Sequence, residues 1–149
     1  MYEGQKLYKR IVYNYNRRDS LIGEMHYIYT GKQRKSHKVI YTYDSKTQKR
    51  LRRNEYDSNQ KIIEKTVYQY NKQGDLTKVS QVFPQRKRSD YNTTTTYLYK
   101  QGKLWQVVSK GKNNQYESRK IYKNGILIRT RKYENDKLIE LVDYQYIYY

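Results

Sequence analysis

Residues 61 to 71 read KIIEKTVYQYN. Ile62, Tyr68 and Tyr70 are separated by even offsets, so in a strand they share one face, while Ile63 and Val67 take the other. On a helix, the rings of Tyr68 and Tyr70 would point about 200° apart. The stretch is also filled with β-branched residues and tyrosine, which suit a pleated surface better than a helix. It reads as a strand with apolar residues on both faces.

The same pattern recurs. Residues 6–16 are KLYKRIVYNYN, residues 20–30 SLIGEMHYIYT and residues 137–147 KLIELVDYQYI. Each carries Leu or Ile, then Tyr six residues on, then Tyr two further on: Leu7/Tyr13/Tyr15, Leu21/Tyr27/Tyr29, Ile62/Tyr68/Tyr70 and Leu138/Tyr144/Tyr146. Leu127/Tyr133 keeps the first two members. Strand starts fall near residues 7, 21, 35, 51, 62, 76, 91, 104, 116, 127 and 138. The step of roughly 13 residues suits one strand and a short turn. No stretch reads as a convincing helix, and the run NTTTT at 92–96 is far better suited to a strand. The expected fold is all-β: an antiparallel meander of about eleven strands, without helices, in a single domain spanning residues 1–149 and curled into a rolled sheet or barrel.

The connections fit hairpins. Tyr70-Asn71-Lys72-Gln73-Gly74-Asp75-Leu76 brings a tyrosine at one strand end beside a leucine at the next strand start. Asn124-Gly125 is the strongest tight-turn dipeptide, because both residues tolerate positive φ. Tyr-[Asp/Asn]-x-x-Gly-x-Leu resembles the YD repeat, also called the rearrangement-hotspot repeat. Tyr70–Leu76 matches it well, Tyr56–Ile62 matches with Gln60 in the glycine place, and Tyr15–Leu21 matches with Asp19 there. Residues 122–140, YKNGILIRTRKYENDKLIE, are similar to the hairpins of MORN-repeat variants. The resemblance implies a curved β-sheet array of the kind that encloses or displays other segments in secreted bacterial toxins and surface proteins.

Strict alternation divides the side chains into two sets. One carries Leu7, Tyr13, Tyr15, Leu21, Met25, Tyr27, Tyr29, Val39, Tyr41 and Tyr43 along the first three strands, with Tyr15 expected beside Leu21, Tyr70 beside Leu76 and Tyr133 beside Leu138. The other is aliphatic: Ile22, Ile28, Ile40, Ile63, Val67, Val79, Phe83, Leu98, Trp105, Val107, Ile121, Ile128, Ile139, Leu141 and Ile147. The second set is the one expected to turn inward, since leaving so much apolar surface in water is costly.

Composition bounds the function. Lys plus Arg number 32 against 14 Asp plus Glu, giving a net charge of +18. Such an excess favours anionic partners; a general compositional drift toward Lys, Asn, Ile and Tyr is the other source of it. The absence of cysteine excludes disulfides, cysteine-based zinc sites and thiol catalysis. No apolar run is long enough for a membrane-spanning helix. Residues 1–30 hold Lys6, Lys9, Arg10, Arg17 and Arg18 with no apolar core, so no signal peptide is expected. The expected setting is cytoplasmic, or that of a mature or excised piece of a bacterial secreted or surface protein.

His26 and His37 lie eleven apart, without metal-ligand spacing, and the carboxylates are scattered singly. Neither a metal nor another cofactor is expected, and no catalytic residues are assigned. A small basic nuclease is the enzymatic alternative. The candidate anion or nucleic-acid contacts are the basic clusters: Lys32, Arg34, Lys35 and Lys38 in a loop spanning 31–38; Lys49, Arg50, Arg52 and Arg53 at a strand start; and Arg86, Lys87 and Arg88 in a loop spanning 84–89. In a strict meander the two loops share one edge of the sheet. Arginine and lysine with exposed tyrosine is a combination suited to phosphate contact and base stacking. The expected function is a non-enzymatic binding or scaffold module for an anionic polymer, either nucleic acid or cell-surface glycopolymer. The alternative is an interaction or structural module with an acidic protein partner, a homo-oligomer or a larger assembly.

Overall fold

The structure is a computed structural model that describes residues 7–30, 33–84, 91–111 and 115–147. Eleven strands occur: β1 (Leu7–Tyr15), β2 (Leu21–Thr30), β3 (Gln33–Tyr43), β4 (Arg50–Tyr56), β5 (Ile62–Tyr70), β6 (Leu76–Val82), β7 (Thr93–Lys100), β8 (Lys103–Gly111), β9 (Tyr116–Lys123), β10 (Ile126–Glu134) and β11 (Lys137–Asp143). No α-helix occurs among the described residues. The sheet order follows the sequence from β1 to β11, so the sheet is open, with β1 and β11 at its ends, and the closed-barrel alternative does not apply. Every strand begins within about two residues of the start read from the repeat, as expected for boundaries set by turn chemistry.

Two kinds of turn recur among the hairpins. In the Tyr-[Asn/Asp] turns, the Asx side chain organises the loop. Asn16 Oδ1 accepts the N–H groups of Arg18 and Ser20 at 2.8 and 3.0 Å. Asp57 Oδ1 accepts those of Asn59 and Lys61, both at 2.9 Å. Asn71 Oδ1 accepts that of Asp75 at 2.8 Å. Three residues after each Asx the chain turns left-handed, at Asp19 (φ 54°), Gln60 (φ 62°) and Gly74 (φ 90°). That conformation is the physical content of the glycine place in the repeat. The second kind is a two-residue turn with positive φ at both central positions: Gln101-Gly102, Asn124-Gly125 and Asn135-Asp136.

The register carries a feature that strict alternation misses. Tyr15 pairs with Leu21 and Asn14 with Gly23, so Ile22 is an extra residue opposite no partner. The same one-residue bulge occurs at Leu51, Trp105, Ile128 and Ile139. Each lies one or two residues into its strand. A bulge shifts the alternation by one, so everything beyond it changes face.

By internal contacts the chain divides into two compact units, Met1–Thr66 with Pro84–Arg86 and Val67–Phe83 with Lys87–Tyr149. In the first unit, Leu21 pairs with Tyr15 as expected, but the Ile22 bulge sends Met25, Tyr27 and Tyr29 to the other face and brings Glu24, His26 and Ile28 to the face of Leu21. Ile40 and Ile63 lie on the reverse face from Ile28, so the aliphatic set expected to turn inward is not one face. The one fully buried apolar side chain among the described residues is Val39, 1 % exposed, which belonged to the tyrosine set. Thr66 is also buried.

In the second unit, Tyr99 pairs with Leu104 and Tyr133 with Leu138 across their turns. Thr95 and Ser109 hydroxyls bond at 2.9 Å between β7 and β8. Thr130 is buried, whereas Leu98, Trp105, Ile139 and Leu141 are exposed, which corrects the expectation of a buried aliphatic face.

The tyrosines at strand ends have a second task. Tyr43 donates its hydroxyl to the carbonyl of Leu21 at 2.7 Å, Tyr99 to that of Leu76 at 3.1 Å and Tyr146 to that of Leu127 at 2.8 Å. Leu21 and Leu127 immediately precede a bulge, where the ladder is interrupted, and the phenol supplies a donor to the carbonyl there.

Candidate functional site

The site is built from the first unit, where register gathers every strand carboxylate on one face. On β1 to β5 up to Thr66 there are three carboxylates, Glu24, Glu55 and Glu64. Glu24 and Glu55 are the two cross-strand partners of Val39, and Glu64 joins them through Arg53. All three therefore share one face. On this carboxylate face, Arg53 bridges Glu55 at 2.7 Å and Glu64 at 2.5 Å. Glu64 also accepts the Thr66 hydroxyl at 3.1 Å. Glu24 accepts the Tyr41 hydroxyl at 2.6 Å and lies 2.7 Å from His26 Nε2. His26 stacks on its register partner His37 with centroids 4.4 Å apart, and His37 lies 3.7 Å from Glu55. The Arg50 guanidinium sits over the Tyr41 ring, 4.4 Å from its centroid.

These side chains are half-buried, and the electrostatics follow. Burial pushes the Glu24 carboxyl up, but hydrogen bonds from Tyr41 and His26, together with the charges of His26 and Arg53, outweigh it and hold the carboxyl below its usual range. Burial, then the stacked His26, lowers the His37 pKa; Lys9 and Arg53 act the same way and Glu55 opposes them. Burial and the bond to Glu24 raise that of Tyr41. Every carboxylate on this face is held by a neighbouring side chain. No group of three or more His, Asp or Glu residues is placed to hold a metal ion among the described residues.

The opposite face contains no carboxylate among the described residues of these strands. It carries Arg10 opposite Tyr27, Lys38 opposite Met25 and Tyr56, and Arg52 opposite Thr42. Lys65 joins them, because it alternates with Glu64 and Thr66 on β5. Arg10, Arg52 and Lys65 are exposed and Lys38 is half-buried. None of the four forms an ion pair among the described residues. Tyr8, 60 % exposed, packs on its register partner Tyr29 with centroids 5.6 Å apart, and Tyr29 lies 6.4 Å from Tyr27.

The residues read from the sequence are thus dispersed rather than gathered. Gln33 already begins β3, so Arg34, Lys35 and Lys38 lie on a strand and not in a loop; Arg34 is the register partner of Tyr29 and Lys35 of Ile28. Lys49 closes the β3–β4 turn, where its carbonyl accepts the Asp44 N–H at 2.8 Å. Arg50 and Arg53 lie on the carboxylate face and Arg52 on the cationic one. Lys32, Arg86, Lys87 and Arg88 lie outside the described residues. Sequence reasoning missed Arg10, Lys65 and the Tyr8/Tyr29/Tyr27 group as site residues. Each cation stands apart from a dense cluster, and only pairing across strands unites them.

No protein-family model matches the chain, and no curated protein sequence matches it.

In the second unit the charges are mixed. Lys110 and Arg119 both bind Glu117, and the Arg119 guanidinium sits 4.9 Å from the Tyr133 ring centroid. Arg129 pairs with Asp143, and Lys132 with Glu140 at 2.7 Å. A depression of about 520 Å³ lies over β6 to β8, lined by Ser80, Gln81, Thr94, Thr96 and Lys110 among others. It is rich in hydroxyls, and the one cation among its described lining residues, Lys110, is already held by Glu117.

Proposed function

We propose that the protein is a non-enzymatic binding module that holds an anionic polymer against the cationic face of β1 to β5. The observation that supports this is the sorting of charge. Carboxylates on a cationic surface would neutralise it and repel an anion; here all three strand carboxylates are on the reverse, consumed by Arg53, Tyr41 and the histidines. Arg10, Lys38, Arg52 and Lys65 are left to meet an outside charge, spread diagonally over about 19 Å across the strands and further along them. A polymer with regularly repeated charges suits such a row better than a compact ion does.

The test is retention on immobilised heparin and on oligonucleotide at increasing salt. Wild-type protein is expected to elute late, and the Arg52→Glu/Lys65→Glu double variant much earlier. The quadruple charge reversal of Arg34, Lys35, Arg86 and Arg88 measures the share of the clusters read from sequence. Early elution of wild type, with the Arg52/Lys65 variant indistinguishable from it, would overturn the proposal.

A second reading, a protein-interaction module, rests on β11, where Leu138, Ile139 and Leu141 are each more than half exposed. It predicts self-association or capture of a partner protein that is lost on Ile139→Lys and indifferent to Arg52→Glu.

A further inference from the structure

Resting on the reading just given, we infer that the polymer is single-stranded nucleic acid, with its phosphates on Arg10, Lys38, Arg52 and Lys65 and its bases stacked on Tyr8 and Tyr29. The cations alone do not discriminate among polyanions. The tyrosines on the same face do.

Tyr8 and Tyr29 are direct cross-strand partners whose rings meet at 5.6 Å with a 40° tilt. Tyr29 also lies 6.4 Å from Tyr27 at 30°, so three rings form a continuous aromatic patch. Tyr8 is 60 % exposed, more than a ring used only for packing requires. The next register row sets Arg10 directly opposite Tyr27, and the one beyond sets Lys38 opposite Met25, so cation and ring are near neighbours on one surface. A strand face with rings beside guanidinium and ammonium groups provides both contacts a single strand needs: a π-surface for an unpaired base and a positive charge for the following phosphate. A duplex hides its base faces, and the strands here are set in a sheet rather than raised as a ridge that could enter a groove. The row of four cations is long enough for on the order of four nucleotides.

The test measures binding of full-length protein to four probes of equal length: a single-stranded oligonucleotide, its duplex, an abasic single strand that keeps the phosphates, and a heparin fragment. The single strand is expected to bind tightest, at least about tenfold above the abasic strand. The slope of log K against log salt is expected near −3, from four phosphate contacts on a single strand. Tyr8→Ala and Tyr29→Ala are each expected to lower affinity for the single strand by roughly tenfold and leave heparin binding unchanged, while Tyr8→Phe keeps the affinity. Unchanged far-ultraviolet circular dichroism shows that each variant folds. If all four probes bind equally and the tyrosine variants match wild type, the inference fails while the general anion reading survives. If none binds, both fail.

Discussion

His26 and His37 stack ring on ring from directly opposed positions of β2 and β3, with 4.4 Å between centroids. Two imidazolium charges at that distance repel, and the surroundings are mixed: Lys9 from β1, Glu24 from β2, Arg53 and Glu55 from β4. The pair is therefore compatible with the fold when His37 is neutral.

This sets the pH response. Because the folded pKa of His37 is depressed below its ordinary 6.5, the unfolded chain binds more protons as pH falls through that region. Stability is full above about pH 6.5 and declines as pH drops through the folded value. Glu24, depressed below 4.5, adds a second decline at lower pH, when its carboxylate takes up a proton. Urea denaturation across pH should show both phases. His37→Gln should remove the first and leave the second; a His37→Gln profile that still falls as the pH drops below about 6.5, ahead of the carboxylate phase, would show that His37 is not the cause.

Arg53 holds two carboxylates at once. Arg53→Met should destabilise by about 2–3 kcal/mol, less than for a fully buried pair because all three side chains keep some contact with water. Adding Glu55→Gln and Glu64→Gln should recover most of that loss, since the damage lies in the orphaned negative charges. A triple variant no more stable than Arg53→Met would assign the loss to packing of the arginine stem instead.

Val39 should be the most sensitive apolar position on these five strands. Val39→Ala removes two buried carbons and leaves a void, for about 2 kcal/mol. Ile22→Ala, at an exposed bulge, should cost well under 1 kcal/mol. Chemical denaturation of the two variants decides between this ranking and one in which the aliphatic set forms the core.

The phenol-to-carbonyl bonds should register individually. Tyr43→Phe and Tyr99→Phe each leave the ring in place and remove one donor, with an expected loss of about 1 kcal/mol. Faster hydrogen exchange at the Ile22 bulge for Tyr43→Phe, and at the start of β6 for Tyr99→Phe, would locate the effect.

At Gln60 the chain is left-handed without glycine. Gln60→Gly relieves the side-chain clash but adds freedom to the unfolded chain, so the net gain should be about 0.5 kcal/mol, whereas Gln60→Val should cost about 1 kcal/mol or more. Thermal melts of the two variants should move in opposite directions.

The strands were legible because turn residues recur at a regular interval and each turn type has a chemical signature: Asn16, Asp57 and Asn71 in one, Asn124-Gly125 in the other. The faces were not. Alternation is a local rule, and Ile22, Leu51, Trp105, Ile128 and Ile139 each reset it without any residue type that marks a bulge. The carboxylate network was hidden for a different reason. Glu24, Glu55 and Glu64 are isolated in the chain and meet only through strand pairing. His26 and His37 did carry a signal: they are equidistant from the midpoint between β2 and β3, so antiparallel pairing of the two strands makes them partners. Spacing weighed only as metal ligation overlooked it.

Ile22 behaves like a phase shift in a reading frame. Its side chain is replaceable; its standing outside the ladder is not. Deleting it would only close the bulge, because Leu21 and Gly23 already face Tyr15 and Asn14. Pairing it with Asn14 while Leu21 stays opposite Tyr15 would turn the rest of β2 over, carrying Glu24 and His26 onto the surface of Arg10 and Lys38 and sending Tyr27 and Tyr29 to the reverse. The polarity of this unit is therefore stored in a register rather than in an identity.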